Sequence, residues 1–238
     1  MSGHSKWSNI KRKKEKTDAQ RAKIVTKISR EILVCVKEHG CDMKSNLKLV
    51  ELFAKARANN IPSENIERLI AKASGNTDKN NYEEIIYEGY GAAGVAVMVR
   101  ALTDNRNRTA GDLRYYFDKF GGNLGQTGCV NFQFTEVGMI ALEGKIDEKA
   151  LIQDLLELDV EDFEVSDGMA TITTKPNKLL EVKAALGTKY NVIESDFEQK
   201  PLNLISVEDE ASLEKVRCLL DALDDNDDVQ KVWCNLEE

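Results

Sequence analysis

The hydrophobic pattern of this chain is helical throughout up to about residue 75 and mixed beyond it, and that change limits its fold more than any other feature. Before it, apolar residues recur at helical spacing. Ile24, Val25, Ile28, Ile32, Cys35 and Val36 stand three and four apart, and Gly40 follows where a helix would stop. The spacing predicts a second helix from about Ser45 to Asn59, with Leu47, Val50, Phe53 and Ala54 as its apolar side. Pro62 suits a first helical turn, and Ile66, Leu69, Ile70 and Ala73 build a third helix that Gly75 stops. Short amphipathic helices of this kind bury their stripes in one shared core. Ser74 to Asn81 is polar and reads as a linker.

Beyond the linker, strands alternate with helices. Val95–Thr103 reads as a strand, Asn105–Phe120 as a helix with Ala110, Leu113, Phe117 and Phe120 inward, and Cys129–Thr135 as a strand. Gly138–Leu142, Asp147–Leu158, Val160–Val165, Met169–Thr174, Pro176–Leu186 and Tyr190–Phe197 then follow the order β-α-β-β-α-β, which is ferredoxin-like. The tail gives a strand (Leu204, Ile205, Val207), a helix (Ser212–Leu223) and a strand (Val229–Trp233). A lone β-α-β segment buries its sheet poorly. The tail and the Val95–Thr135 segment, joined, would make a second unit of the same order. The expected class is therefore α+β, with an N-terminal three-helix domain followed by two ferredoxin-like domains, one inserted in the other. The expected boundaries are 1–75, then 76–136 plus 199–238, with 137–198 inserted.

Charge is divided as sharply as periodicity. The chain carries net −8, yet its first thirty residues hold ten Lys/Arg against Glu15 and Asp18. Through Gly75 there are 17 basic and 8 acidic residues; the remainder carries 16 basic and 33 acidic. Like charges in a cluster repel one another and gain when a polyanion releases its counterions. Nucleic acid engaged through the N-terminal part is the partner this distribution predicts, and a solvated basic helix is the plainer alternative. The residues that would touch it are His4, Lys6, Trp7, Lys11, Arg12, Lys13, Lys14 and Lys16 in the leader, then Arg21, Lys23 and Lys27 on the first helix. Lysine and arginine supply phosphate contacts without sequence preference, and Trp7 offers a face on which an unpaired base could stack. Arg106 and Arg108 begin a helix where its dipole disfavours cations. They predict an anion- or partner-binding surface, or else ion pairs with nearby acids.

Other classes find little support. No apolar run approaches the length of about 20 residues that a membrane span requires. The start lacks an apolar signal core, and five cysteines form no Cys-x-x-Cys pair, so a cytoplasmic protein with reduced thiols and no zinc site is expected. Gly89-Tyr-Gly-Ala-Ala-Gly94 matches the dinucleotide fingerprint in letters but precedes a strand where that motif opens a helix, and so reads as a tight turn. Gly121-Gly-Asn-Leu-Gly-Gln-Thr-Gly128 reads as a helix-to-strand connection. His4 and His39, the two histidines, have no nucleophile or metal-ligand partner in sequence. No catalytic residue, metal or cofactor is predicted, and a monomer is favoured.

Several motifs taken together resemble the YebC family. They are Gly3-His-Ser-Lys-Trp7, Ile10-Lys, Asp18, Ala56-Arg-Ala-Asn-Asn60, Asn65-Ile-Glu-Arg68, Glu88-Gly-Tyr-Gly91, Thr103-Asp-Asn-Arg-Asn-Arg-Thr109 and Gly121-Gly-Asn-Leu-Gly125. Ala22-Lys-Ile-Val25 and Cys41-Asp-Met43 depart from the usual Gly-Lys-Ile-Phe and Gly-Asp-Pro. The resemblance covers nearly the whole chain. It implies a helical domain and two α/β domains in a probable transcriptional regulator that binds DNA in the bacterial cytoplasm. It equally implies kinship with a mitochondrial translational activator of cytochrome oxidase, and with factors that bind ribosomal RNA or tRNA and relieve ribosome stalling at proline-containing stretches. Charge does not choose between DNA and RNA, because phosphate contacts carry no sequence information. No helix-turn-helix signature is present, and an exposed basic leader with one Trp suits RNA at least as well. A small-molecule sensor, built on paired ferredoxin-like units, is the competing class.

Overall fold

The computed structural model describes residues 18–74, 82–166 and 168–237. Three helices come first: α1 (Asp18–His39), α2 (Leu47–Ala58) and α3 (Ser63–Ser74). Asn46 caps α2 by accepting the Leu49 amide, and its amide group donates to the Gly40 carbonyl, so one buried side chain closes the α1–α2 turn. Ile28, Ile32, Cys35 and Val36 of α1 meet Leu49, Leu52 and Ala56 of α2 and Ile66 and Ala73 of α3 in one core. The buried side of α2 differs from the one its spacing indicates. Leu49, Leu52 and Ala56 face inward, while Val50 is 43% exposed. Helix α2 carries two overlapping apolar arcs, and packing selects the one whose small Ala56 admits a neighbouring helix closely.

The α/β portion follows as β1 (Glu83–Tyr90), β2 (Ala96–Thr103), α4 (Arg106–Lys119), β3 (Asn123–Leu124), β4 (Phe134–Glu143), α5 (Glu148–Leu156), β5 (Val160–Ser166), β6 (Met169–Thr174), α6 (Leu179–Leu186), β7 (Asn191–Pro201), α7 (Glu210–Asp224) and β8 (Val229–Cys234). These strands form two antiparallel four-stranded sheets, ordered β3-β1-β2-β8 and β5-β6-β4-β7. The protein is α+β. Residues 132–204 gather into one compact unit and the rest of the described chain through 236 into another.

In the 132–204 unit, Ile140, Leu142, Ala170 and Ile172 alternate onto one sheet face and bury Leu151 and Leu155 of α5 with Val182 and Leu186 of α6. Its strand order, with the first strand between the third and fourth, is the ferredoxin-like one. In the other unit, Val97 and Val99 of β2 and Val229 of β8 pack beneath Leu113 and Phe117 of α4 and Val216, Leu219 and Leu223 of α7. The same spatial order recurs there, with one substitution. The third position is filled by β1, which precedes the rest, and not by a strand from the tail.

Two predicted strands are corrected accordingly. Cys129–Thr135 is not a strand: Asn131–Gln133 form a 3-10 turn, β4 begins only at Phe134, and the strand after α4 is the two-residue β3. The tail strand reduces to a single bridge between Ile205 and Leu236. Strand β1 was hidden because Glu84, Ile86, Glu88 and Tyr90 place two carboxylates on one face, and the run looks polar. The Gly89–Gly94 letters are the end of β1 and the β1–β2 turn, closed by the Gly91 amide on the Val95 carbonyl, with Ala93 and Gly94 at φ 54° and 78°. It precedes β2, as the tight-turn reading requires.

Candidate nucleic-acid interface

The leader residues His4, Lys6, Trp7, Lys11, Arg12, Lys13, Lys14 and Lys16 lie outside the described residues, as does the side chain of Arg21. Lys23, Lys27 and Arg30 are described, and their spacing of four and three sets them on one face of α1. That face meets the end of α7. Lys23 Nζ lies 2.5 Å from Asp225 Oδ1 and donates to the Asp225 carbonyl at 3.1 Å. Lys27 Nζ donates to the Asp224 carbonyl at 2.7 Å. Arg30 Nη1 donates to Asp228 Oδ1 at 2.7 Å and to the Asp227 carbonyl. Cations thus supply partners to carbonyls at and just past the end of α7, where the helix dipole favours positive charge.

Asp228 is the centre of this arrangement. It is 4% exposed, and its second oxygen accepts from Arg108 Nη2 at 2.8 Å and from Thr109 Oγ1 at 2.7 Å. Thr103 Oγ1 lies 3.3 Å from the same oxygen and 2.8 Å from Thr109 Oγ1, whose one proton goes to Asp228. Arg108 also reaches Asp104 at 3.0 Å. Burial alone pushes the Asp228 carboxyl up, but hydrogen bonds from Arg108 and Thr109 and the charges of Arg30 and Arg108 outweigh it, and hold it below its ordinary range. The Asp228 hydrogen bond in turn raises Arg108. Arg30, Asp104, Arg108, Asp112, Tyr116 and Asp227 border a shallow depression of about 420 Å³ that is acidic on balance and does not favour an anion.

The two predicted arginines therefore separate. Arg108 is engaged with Asp228 and Asp104, whereas Arg106 is 64% exposed and, among the described residues, pairs with Glu83 at 4.0 Å. The first-turn amide of Arg108 is taken by the Asn105 cap. Among the described residues of α2, α3 and the turn before α2, Lys44, Lys48 and Arg68 are exposed and make no ion pair. Arg57 is exposed too, held over the Phe53 ring at 5.1 Å with its guanidinium donating to Ser63.

Two key carboxylates are not among the predicted site residues. Asp228 had one legible signal: acids clustered at the C-terminus of a helix oppose its dipole, so Asp224, Asp225, Asp227 and Asp228 demand cations. Glu88 had none. It is 3% exposed, and its oxygens accept the amides of Gly128, Val130 and Asn131 at 2.7, 2.8 and 2.8 Å. It fixes the glycine-rich connection between β3 and β4. That connection is packed so closely that a Cβ on Gly125 would stand 2.5 Å from Cys129 Sγ.

The arrangement unites Thr103, Asp104, Arg108 and Thr109 around one buried acid, and Glu88 with the glycine run, so the motifs distant in sequence form two connected networks. Residues 5–76 match the TACO1/YebC protein N-terminal domain, and residues 82–236 match the TACO1/YebC second and third domain. The chain belongs to the TACO1/YebC family. A "Probable transcriptional regulatory protein" of Finegoldia magna is 49% identical over 99% of this chain and 98% of its own length. One of the same name from Acetivibrio thermocellus is 50% identical over 99% and 98%. The crystal structure of a conserved hypothetical protein from Aquifex aeolicus superimposes with a TM-score of 0.86 at 41% identity, covering 93% of this chain and 92% of that one. Within the TACO1/YebC boundaries, α1–α3 fall in the N-terminal match and both sheets in the second. No described helix is long and apolar enough to cross a membrane.

Proposed function

We propose that this protein is a non-enzymatic, nucleic-acid-binding regulator of gene expression, and that its target is DNA in transcriptional control. The observation that carries the reading is the charge division: 17 basic against 8 acidic residues through Gly75, in a chain of net −8. The name borne by its full-length relatives supports it. In this reading the leader cations, with Trp7, make most of the contact, and exposed Lys44, Lys48, Arg57 and Arg68 extend the basic surface. Arg106 is the member of the arginine pair available to an anion or partner. The protein acts in the cytoplasm, as a monomer and without a cofactor. The N-terminal domain ends near residue 75, and the inserted domain occupies 137–198.

A ribosomal RNA target, with relief of stalling, is the second reading; the single Trp amid leader cations favours it, since stacking needs an unpaired base. Neutralising Lys11, Arg12, Lys13 and Lys14 together tests both. Binding should weaken, and removing each phosphate-bound cation should reduce the log–log salt slope by about 0.7 to 0.9. An unchanged slope removes the leader from the interface. Recovery of the tagged protein on defined DNA segments or with sedimenting ribosomes separates the two targets.

A further inference from the structure

The cations that α1 would offer a phosphate already have anionic or carbonyl partners in the same unit. These interactions divide into two kinds. Arg30 and Asp228 have side chains 17% and 5% exposed, and breaking that pair would strand a buried carboxylate. Lys23 and Asp225 are 34% and 64% exposed, and an exposed pair of this kind is worth little against solvent. Lys27 likewise donates to a carbonyl, that of Asp224, on the surface. The arginine pair is durable; the lysine interactions are exchangeable.

The α7–β8 turn also resembles what it would have to compete with. It carries four aspartates in five residues, 224–228, beside the open carbonyls of a helix end. We infer that this turn is an internal competitor for nucleic acid: it closes a clasp on Lys23 and Lys27 that a polyanion opens, while Arg30–Asp228 persists as the pivot. The inference rests on the nucleic-acid reading above and adds its regulation. A phosphate chain replaces the Asp225 carboxylate and the Asp224 carbonyl at the two lysines, and dense phosphate succeeds where an isolated anion does not, because both lysines must be recaptured together. The clasp lowers affinity for any polyanion and so favours the target that engages the most cations at once.

A double-mutant cycle on the full chain tests this, with mixed-sequence single-stranded RNA and duplex DNA oligonucleotides as probes. Asp225→Asn removes the carboxylate that pairs with Lys23 and leaves it the Asp225 carbonyl at 3.1 Å, and it should not harm folding, because Asp225 caps α7 through its backbone N–H and an acid at that end opposes the dipole. It should tighten binding about two- to fivefold, the range an exposed ion pair is worth. In a Lys23→Gln background the same change should do nothing. Glu157→Gln, an equal change of charge in the 132–204 unit, should give a smaller gain. If Asp225→Asn tightens binding equally with or without Lys23, or no more than Glu157→Gln, general electrostatics explains it and the clasp is refuted. If the unaltered protein binds neither probe at low salt, the nucleic-acid reading itself fails, and the clasp with it.

Discussion

Replacing Asp228 by Asn removes one negative charge, with almost no change of shape, from the carboxylate that joins α1, α4 and β8. Its oxygens accept from Arg30, Arg108 and Thr109 at 2.7, 2.8 and 2.7 Å. A hydrogen bond to a charged group contributes about 1.5 to 3 kcal/mol, and a neutral one about 1. Weakening the three would cost about 2 to 4 kcal/mol, and the Asn amide must also turn a donor toward other donors. Arg108 is 45% exposed, so its share is discounted for solvent. The expected loss is about 3 kcal/mol, a large part of a domain's stability. Urea unfolding in a Trp7→Phe background, followed by Trp233 of β8, measures it in the unit concerned. Because the folded Asp228 pKa lies below its usual 3.8, its contribution is fully present above that value and lost as pH falls through the folded pKa. The gap between the two proteins should therefore be constant near neutrality and close in strong acid. A loss under about 1 kcal/mol, or a gap that persists unchanged into strong acid, would refute the network as described.

Glu88→Ala should destabilise by about 3 kcal/mol or more by stranding three amides, and speed hydrogen exchange at Gly128, Val130 and Asn131; Glu88→Gln should do less. Protection of those amides in the Ala variant would count against the anchor. A fragment of residues 132–204 should fold cooperatively, with both helix and strand signals by circular dichroism, because its sheet is complete. Residues 76–131 alone should not, since β8 and α7 lie beyond residue 204; cooperative unfolding of that fragment would contradict the discontinuous arrangement.

Periodicity and end signals encode structure over a few turns of chain, and there the amino-acid order suffices. Gly40 and Pro62 mark the helix ends near which α1 stops and α3 starts, and Leu113 and Phe117 point inward as their spacing requires. The β-α-β-β-α-β order within 132–204 was equally legible, because each of its elements follows the last along the chain. The charge division needed only counting.

Packing across the chain decided the pairings. Val130-Asn-Phe-Gln-Phe134 alternates like a strand, but Glu88, 42 residues before Val130, takes its amides, and Phe132 is left 69% exposed. Strand β1 fills the sheet position that the order of elements assigned to the tail, because β1 and β2 are joined by a tight turn and pair over all eight residues. Arg108 and Lys23 look alike to any scan for basic residues, as do Arg30 and Arg68. Whether each cation is engaged or exposed depends on Asp225 and Asp228, some 120 to 202 residues away. Side-chain spacing reports the local dihedral repeat and carries no record of which distant carboxylate will be brought within 3 Å, so packing alone separates a cation available to phosphate from one already paired.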